Sequence, residues 1–309
     1  MTTPTRRRAK AHPQRPTPIT ADLLRRWRLP ANDGKLGKDD RGAVFVVGGS
    51  SEIPGAVLLA GVAALRAGAG KLQIATARSV ATAVAVAVPE ARVVALAETR
   101  SGEIARGCAR AVAKQIARCD ALLVGPGMMS TEAARELLRH AVASAARGTL
   151  IVDAGALETF AGRTPLARPH AGGVIATPHA GEMASLWGVP RERVLAQPLE
   201  LAREAARALG IVMVLKGAET FVVGPDGDAY HNTAGNPGLG TSGSGDTLSG
   251  VIAGLSARGA TPIQAAVWGV HLHAKAGDEL ARKVSPLGFL ARELLNEIPP
   301  LLARLGKKR

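Results

Sequence analysis

The chain has 309 residues, of which 47% are hydrophobic and only 3% aromatic, and its formal net charge is +14. A chain of this length and composition can form one large α/β domain, or at most two smaller ones, around a core of Ala, Val, Leu and Ile. The two cysteines, Cys108 and Cys119, exclude a disulfide framework and predict a protein of the reducing cytoplasm.

The positive charge is concentrated at the two ends of the chain. Residues 1–28 carry a net +7 and the last six residues carry +4, which leaves only +3 for the body between them. No aromatic side chains alternate with these charges, as they would on a surface that binds single-stranded nucleic acid. The pattern therefore favours solvated basic tails over a nucleic-acid partner.

The start of the chain lacks the pattern of a secretory signal. Residues 9–20 are polar and proline-rich, so no apolar h-region follows the N-terminal arginines. No run of 18 or more uncharged apolar residues occurs, so we expect no membrane association. An organellar transit peptide, which is also Arg-rich and acid-poor, stays open as an alternative.

In chain order, residues 1–30 are predicted to be a basic Pro/Arg-rich tail, disordered in part, with a short amphipathic helix over 19–28 that Thr20 caps. A single domain is predicted over 31–305, followed by a basic tail over 306–309. Within the domain, the predicted strands are 43–49, 71–76, 92–97, 121–125, 149–153, 173–177, 211–216 and 220–224. The predicted helices are 55–68, 102–118, 130–147, 181–187, 198–209, 246–258, 261–283 and 288–304.

The order and the composition of these elements predict the fold class. Most of the strands are continuously apolar, which is typical of a parallel sheet that is buried on both faces. Strands that alternate with helices predict a three-layer α/β/α architecture with a mostly parallel central sheet. The turn sequence Pro225-Asp226-Gly227 predicts a hairpin at the far end of the sheet.

Gly, His, Asp or Lys residues follow five of the predicted strands. Ligands of open parallel sheets bind beyond the carboxyl ends of the strands, so these residues predict one site. His179 is predicted to contact the ligand, and Lys216 to contact a nucleotide, with an ion pair to Glu219 or another acid as the alternative. The five segments are Gly48-Gly49-Ser50, Gly125-Pro126-Gly127, Asp153, Thr177-Pro178-His179 and Lys216-Gly217.

The segment 235–259, GNPGLGTSGSGDTLSGVIAGLSARG, joins a glycine-rich loop to an apolar helix. The helix would aim unpaired N–H groups at the loop and so form an anion site, although an ordinary loop before a helix is the alternative. Asp246 falls in the first helical turn, where the helix dipole favours an ionised carboxylate. A phosphate beside an ionised base predicts phosphoryl transfer to a hydroxyl.

Two histidines in the predicted helix 261–283 are only two residues apart. Residues at this spacing do not share a helix face, so a metal pair is not expected. We predict that His271 and His273 serve helix packing.

The chain contains the motifs TPHAGE, KGAET and GSGD in this order, together with LLVGPGM, IVDAGAL and HLHAKAGD. With these motifs, it resembles the ribokinase-like ADP/ATP-dependent NAD(P)H-hydrate dehydratases. The resemblance covers residues 33–304. It implies repair of hydrated nicotinamide cofactors (NADHX and NADPHX). ADP or ATP would phosphorylate the C6 hydroxyl of the S epimer, and phosphate would then leave to restore NADH or NADPH.

The resemblance also implies roles for individual residues. Asp246 would be the base, and the anion hole would consist of Gly243, Ser244 and Gly245. The hydrated dinucleotide would contact Ala56, Gly127, His179 and Asp246. The nucleotide would contact Lys216, Gly217, Ala218, Glu219, Thr220 and Gly245. Magnesium would bind through the nucleotide phosphates rather than through direct protein ligands.

The chain also departs from the family pattern. Gly155 stands where many members have an aspartate, and Ser244 replaces a threonine but keeps its hydroxyl. Some members carry an epimerase domain, so we expect a separate NAD(P)HX epimerase here, and family members commonly form tetramers or larger homo-oligomers. The alternative is a ribokinase-like kinase for a vitamin precursor, but TPHAGE together with KGAET favours the dehydratase.

Overall fold

The computed structural model describes residues 15–30, 37–129, 131–144, 146–163 and 170–306. Its strands form one sheet in the order β1-β10-β9-β8-β7-β6-β5-β2-β3-β4. Among the described strands, only β9 runs antiparallel to its neighbours. The strands are β1 (Thr17–Pro18), β2 (Ala43–Val47), β3 (Lys71–Ala77), β4 (Ala91–Leu96), β5 (Ala121–Val124), β6 (Thr149–Val152), β7 (Val174–Ala176), β8 (Val212–Leu215), β9 (Thr220–Val223) and β10 (Ala229–Asn232).

Helices cover both faces of this sheet. One face packs against α1–α3 and α10–α12, and the other against α4–α9 and a 3-10 segment, Ala154–Arg163. The helices are α1 (Ala21–Arg26), α2 (Gly55–Arg66), α3 (Arg78–Ala87), α4 (Cys108–Ala111), α5 (Ala113–Arg118), α6 (Thr131–Ala143), α7 (Ala180–Trp187), α8 (Arg191–Ala196), α9 (Pro198–Leu209), α10 (Ser244–Ala257), α11 (Pro262–Lys283) and α12 (Ala291–Gly306).

The central strand β2 shows why the sheet needs two helical layers. Val44 and Val46 point into the core on one face, whereas Phe45 and Val47 point into the core on the other. All four side chains are fully buried, so both faces must be covered by apolar helix surfaces. The three-layer α/β/α fold with a mostly parallel sheet is thereby confirmed, as is the antiparallel pairing of β9 with β10.

Some predicted helices differ from the structure. The helix predicted over 102–118 is instead a loop followed by α4 and α5, because Ile104 pairs with Glu98 in a β-bridge and Gly107 has a φ of 83°. The helices α3 and α8 were not predicted. The α3 sequence, RSVATAVAVA, alternates β-branched residues with alanine, a period of two that is typical of a strand rather than of a helix.

Part of the segment predicted as a tail over 1–30 packs against the domain. The cap by Thr20 is confirmed, since its Oγ1 accepts a hydrogen bond from the amide of the first turn of α1. The strand β1 pairs with β10, Leu24 is fully buried, and Trp268 Nε1 donates to the Trp27 carbonyl at 2.9 Å. Apolar side chains at 19–27 therefore anchor this segment to the domain, and only 1–14 of the predicted tail lies outside the described residues.

At the other end, α12 runs through Gly306, so the first residue of the predicted tail belongs to the helix. Residues 307–309 lie outside the described residues. Within the described part of the chain, none of the helices has the length and apolar character needed to cross a membrane.

The helices α2 and α10 approach each other through glycines. A Cβ built on Gly250 would lie 2.1 Å from the Ala60 carbonyl oxygen, and one on Gly254 would lie 2.3 Å from that of Ala64. The two backbones are therefore in direct contact, and this contact fixes the N-termini of both helices at the same edge of the sheet.

We expect Gly250→Ala to destabilise the protein by about 1–3 kcal/mol, although alanine is the better helix former, because its methyl group would overlap the α2 backbone. Urea unfolding monitored by circular dichroism measures the change. Gly55→Ala is the matched control, since no atom lies within 4 Å of a Cβ at that position. Equal stability of the two variants would contradict the expected backbone contact.

Candidate active site

The site lies where the winding of the sheet changes direction. The chain runs from β2 outward to β3 and β4, then returns to β5 beside β2 and continues the other way. The loops after β2 and β5 touch, because the Gly49 amide donates to the Pro126 carbonyl at 2.7 Å. A Cβ on Gly48 would lie 2.2 Å from the same oxygen. Such a switch point is where open α/β sheets bind ligands.

Gly127 and Ala56 form one wall of this crevice. Gly127 has a φ of 66°, and a Cβ built on it would lie 2.5 Å from the Ile53 carbonyl oxygen and 3.0 Å from the Ala56 Cβ. Ala56 is buried in the first turn of α2. The structure thus brings these two predicted site residues together beside the switch point.

His179 is the N-cap of α7. Its Nδ1 accepts hydrogen bonds from the amides of Gly181 and Glu182, at 3.0 and 3.1 Å, and the Glu182 carboxylate accepts from the His179 amide at 2.7 Å. Because Nδ1 is an acceptor, the proton of the neutral ring is assigned to Nε2. The side chain is 59% exposed, so this N–H can reach a ligand at the strand ends.

Lys216 connects three of the strand ends. Its amide donates to the Pro178 carbonyl at 2.8 Å, and its Nζ donates to Asp153 Oδ1 at 3.1 Å. Glu182 Oε2 lies 3.8 Å from the same ammonium. Asp153 is buried and also accepts from Thr177 Oγ1 at 2.6 Å. The lysine is therefore held on a buried carboxylate at the centre of the site.

Burial lowers the pKa of Lys216, but the carboxylates of Asp153, Glu182 and Asp246 outweigh burial and raise the pKa above its usual value. The ammonium therefore stays charged. The alternative was an ion pair with Glu219 or another acid, and the acid that pairs with Lys216 is Asp153. Glu219 Oε2 instead lies 3.1 Å from Nε2 of His231 in β10.

The remaining residues of the KGAET stretch lie at the edge of the site. Gly217, Ala218 and Glu219 form the exposed turn between β8 and β9, and Thr220 begins β9. Of this stretch, the structure brings the Lys216 side chain into contact with the other strand-end residues.

The glycine-rich loop turns directly into α10. Gly243 is the N-cap with a φ of 85° and provides no side-chain cap. The Ser244 amide donates to the Thr241 carbonyl at 3.3 Å, and the N–H groups of Gly245 and Asp246 that follow it are open to another acceptor. A Cβ on Gly245 would lie 3.4 Å from the Lys216 Nζ. A helix N-terminus and an ammonium thus meet at one point, which is suited to binding a phosphate.

Ser244 points away from this point. Its Oγ lies 3.0 Å from His273 Nε2 on α11, and both side chains are buried. The prediction of a mere packing role for His273 is therefore incomplete. Sequence reasoning missed this contact because the two residues are 29 positions apart and no local pattern pairs them.

Asp246 differs from expectation in its charge. Burial, together with Asp153 and then Glu182, raises its pKa to about 7, against an opposing effect of Lys216. The helix dipole was expected to favour the ionised form, but it is outweighed by burial and by the neighbouring carboxylates. A carboxylate with a pKa near neutrality is a better proton acceptor than an ordinary one.

The replaced acid at Gly155 has a local explanation. A Cβ on Gly155 would lie 2.1 Å from the Met128 carbonyl oxygen, so no side chain fits there. The preceding Ala154 has a φ of 47°, which is uncommon for a residue with a side chain. The loop after β5 therefore occupies the space that an aspartate would need.

Comparisons with known proteins agree with these features. A model of the NAD(P)H-hydrate dehydratase family matches residues 44–300. The ADP-dependent (S)-NAD(P)H-hydrate dehydratase of Xanthomonas campestris pv. campestris is 50% identical over 289 residues, which cover 94% of this chain and 97% of that protein.

The bifunctional NAD(P)H-hydrate repair enzyme Nnr of Moorella thermoacetica is 38% identical over 92% of this chain, which spans 53% of that enzyme's length. A crystal structure of the ADP/ATP-dependent NAD(P)H-hydrate dehydratase from Bacillus subtilis, co-crystallized with ATP/Mg2+, matches with a TM-score of 0.81 and 32% identity. That match covers 95% of this chain and 100% of the other. The chain therefore belongs to the NAD(P)H-hydrate dehydratase family.

Proposed function

We propose that this protein converts the S epimer of hydrated NADH or NADPH back to the reduced cofactor, with ADP or ATP as the phosphoryl donor. One observation carries the proposal: a carboxylate with a pKa of about 7 stands in the first turn of a helix whose N-terminus faces an ammonium. The similarity to dehydratases over nearly the whole chain supports this reaction over release of a stable phosphorylated vitamin precursor.

In the proposed first step, Asp246 takes the proton of the C6 hydroxyl, and the hydroxyl oxygen attacks the terminal phosphorus of the nucleotide. The P–O bond to the leaving nucleotide breaks as the new P–O bond forms. The anion hole at Gly243, Ser244 and Gly245 would stabilise the charge that develops on the phosphoryl oxygens, chiefly through the open N–H groups that follow Ser244. Lys216 adds positive charge at the same place.

In the proposed second step, the C6–O bond breaks and its electron pair leaves with the phosphate, a far better leaving group than hydroxide. The ring nitrogen lone pair drives this departure, and loss of a proton from C5 then forms the C5=C6 double bond. The net change is loss of water from the hydrate and hydrolysis of one nucleotide phosphate bond.

We further propose how the ligands divide the site. Ala56, Gly127 and His179 would contact the hydrated dinucleotide together with Asp246. The nucleotide would lie along the turn between β8 and β9, in contact with Lys216, Gly217, Ala218, Glu219, Thr220 and Gly245.

Magnesium would be held by the nucleotide phosphates and would offset their charge. Two of the carboxylates at the site fit this arrangement because protein groups already donate to them. Asp153 accepts from Lys216 and Thr177, and Glu182 accepts from the His179 amide.

The test is to incubate the purified protein with hydrated NADH, Mg2+ and either ADP or ATP, and to follow nicotinamide absorbance and released phosphate. We expect both to rise in equal amounts. No recovery of NADH with either nucleotide would refute the dehydratase. A phosphorylated product that accumulates without elimination would instead favour a kinase.

A cytoplasmic homo-oligomer of four or more subunits that works beside a separate epimerase also belongs to this proposal. Light scattering measures the number of subunits. Incubation with a mixture of the R and S epimers of the hydrate shows whether an epimerase is needed for full conversion. We expect only the S epimer to be consumed by this protein alone.

The two roles of His179, ligand contact and capping of α7, can be tested separately. We expect His179→Asn to keep the stability, because asparagine is a good N-cap, while kcat/KM for the hydrate falls about tenfold or more. His179→Ala loses both functions and should also be destabilised by about 1 kcal/mol. Normal kcat/KM in the Asn variant would remove His179 from the substrate site.

A further inference from the structure

Helix α11 carries two buried histidines that point in different directions. Burial lowers the pKa of each to about 4, so both rings are neutral at neutral pH. His273 contacts Ser244 at the start of α10, whereas His271 lines a separate cavity beside α1 and α12. The two imidazoles therefore share a helix and a degree of burial, but only one of them touches the candidate active site.

The start of α10 needs an external support. Gly243 and Gly245 flank Ser244, and glycines allow the backbone many conformations. Gly243 provides no side-chain cap, and it holds the helix start only through its carbonyl, which accepts from the amide and Oγ1 of Thr247 at 3.0 and 3.1 Å. The hydrogen bond between Ser244 Oγ and His273 Nε2, at 3.0 Å, connects this turn to the 22-residue helix α11.

This support matters because the same turn carries the catalytic geometry. Asp246 follows Ser244 by two residues, and Gly245 packs against Lys216. A displacement of 1 Å at a reacting group can lower a rate about 100-fold. A polar bond between two buried side chains is directional and therefore fixes the rotation of the turn better than an apolar contact does.

We propose that His273 is a positioning residue for phosphoryl transfer. Through the Ser244 hydroxyl, it holds the first turn of α10 so that the helix N–H groups and the Asp246 carboxylate face the same point. His273 touches neither substrate nor nucleotide. This inference rests on the proposed function, since it assigns a residue to the same reaction.

The test is a double-mutant cycle with Ser244→Ala and His273→Met, measured as kcat and KM for the hydrate and the nucleotide. Each single variant is expected to lower kcat about 10- to 100-fold, with KM changed about threefold or less. The double variant should be no slower than the slower single variant, because each change removes the same hydrogen bond between Ser244 and His273. Losses that multiply in the double variant would overturn the proposal.

Two further variants separate positioning from folding. His273→Gln can place an amide where Nε2 lies, and it should retain kcat within about threefold of the wild type, as rescue by a conservative change. If it loses as much activity as His273→Met, the proposal fails. His271→Met is the matched control on the same helix, and it should leave kcat unchanged even if the melting temperature falls.

The activity of the wild-type protein distinguishes failure of the positioning role from failure of the proposed function. If the wild-type protein does not restore NADH, the proposed function fails first. If the wild type is active and His273→Met is fully folded with normal kcat, the proposed function stands and the positioning role is wrong.

Discussion

Replacing Asp246 with asparagine is expected to lower turnover about 10²- to 10⁴-fold and, at the same time, to stabilise the protein at pH 8. The loss of turnover follows from the loss of the proton acceptor. The gain in stability follows from the raised pKa of about 7, which shows that the ionised carboxylate is unfavourable in the folded site. Asparagine keeps the shape and removes the charge.

The sign of the stability change can be derived from the two states. In the unfolded chain the carboxyl ionises near its ordinary pKa of about 4, whereas in the folded protein it ionises only near pH 7. Between these values the folded state binds more protons, so stability falls as the pH rises from 4 to 7. The destabilisation is complete above pH 7, where it amounts to about 2–4 kcal/mol.

Urea unfolding of wild type and Asp246→Asn at pH 5 and pH 8 measures this effect. The difference between the two proteins should be larger at pH 8. Asp22→Asn is the matched control, since Asp22 is also a first-turn acid but is 70% exposed. An equal gain in the control, or near-normal turnover in Asp246→Asn, would contradict the assignment of Asp246 as a partly desolvated base.

The same pKa predicts the pH dependence of the wild-type enzyme. A base must be ionised to accept a proton, so kcat/KM is expected to rise with pH through about 7 and then to level off. This rise should disappear from the residual activity of Asp246→Asn. A profile that is flat between pH 6 and 8 would place the base elsewhere.

Some parts of the fold and of the site can be predicted from the sequence alone. The strands and their burial on both faces follow from local apolar runs such as AVFVV in β2. Parallel strands then place their carboxyl ends at one edge of the sheet. The glycine-rich loop that ends at Gly243 indicates an anion site, because glycines before a helix N-terminus are a local signal. Each of these inferences needs only neighbouring residues.

The remaining features depend on contacts between distant residues. Lys216 pairs with Asp153, 63 positions earlier, rather than with the nearby Glu219. The pKa of Asp246 depends on burial and on Asp153, neither of which a sequence pattern measures. The contact of His273 with Ser244 likewise arises only when α11 packs on α10. Sequence periodicity predicts which face is buried, but it does not predict which polar groups meet there.

Lys216→Met is expected to have the second large effect, on both stability and activity. The lysine side chain is 19% exposed and holds Asp153, which is almost fully buried. Removing one partner of a buried ion pair leaves an uncompensated charge and typically costs about 3–5 kcal/mol. The remaining carboxylates would also lose the ammonium that lowers the pKa of Asp246.

The expected result is a fall in unfolding free energy of this size at pH 8, together with loss of measurable turnover. The destabilisation should shrink as the pH is lowered toward 5, because Asp246, whose pKa is about 7 even beside the ammonium, becomes protonated and one carboxylate charge is removed from the site. Thermal and urea unfolding across this pH range measure the change. A loss of stability that is independent of pH would mean that lost packing, rather than charge, dominates.

A second change separates the structural role of Lys216 from its role in the site. Adding Asp153→Asn to Lys216→Met removes the buried charge, so stability should largely recover while turnover stays absent, because the ammonium beside Gly245 is still missing. The control is Lys275→Met, whose side chain is 42% exposed and whose partner Asp278 is 32% exposed. It should cost about 1 kcal/mol or less and leave turnover intact. Recovery of turnover in the double variant would show that Lys216 serves only to neutralise Asp153.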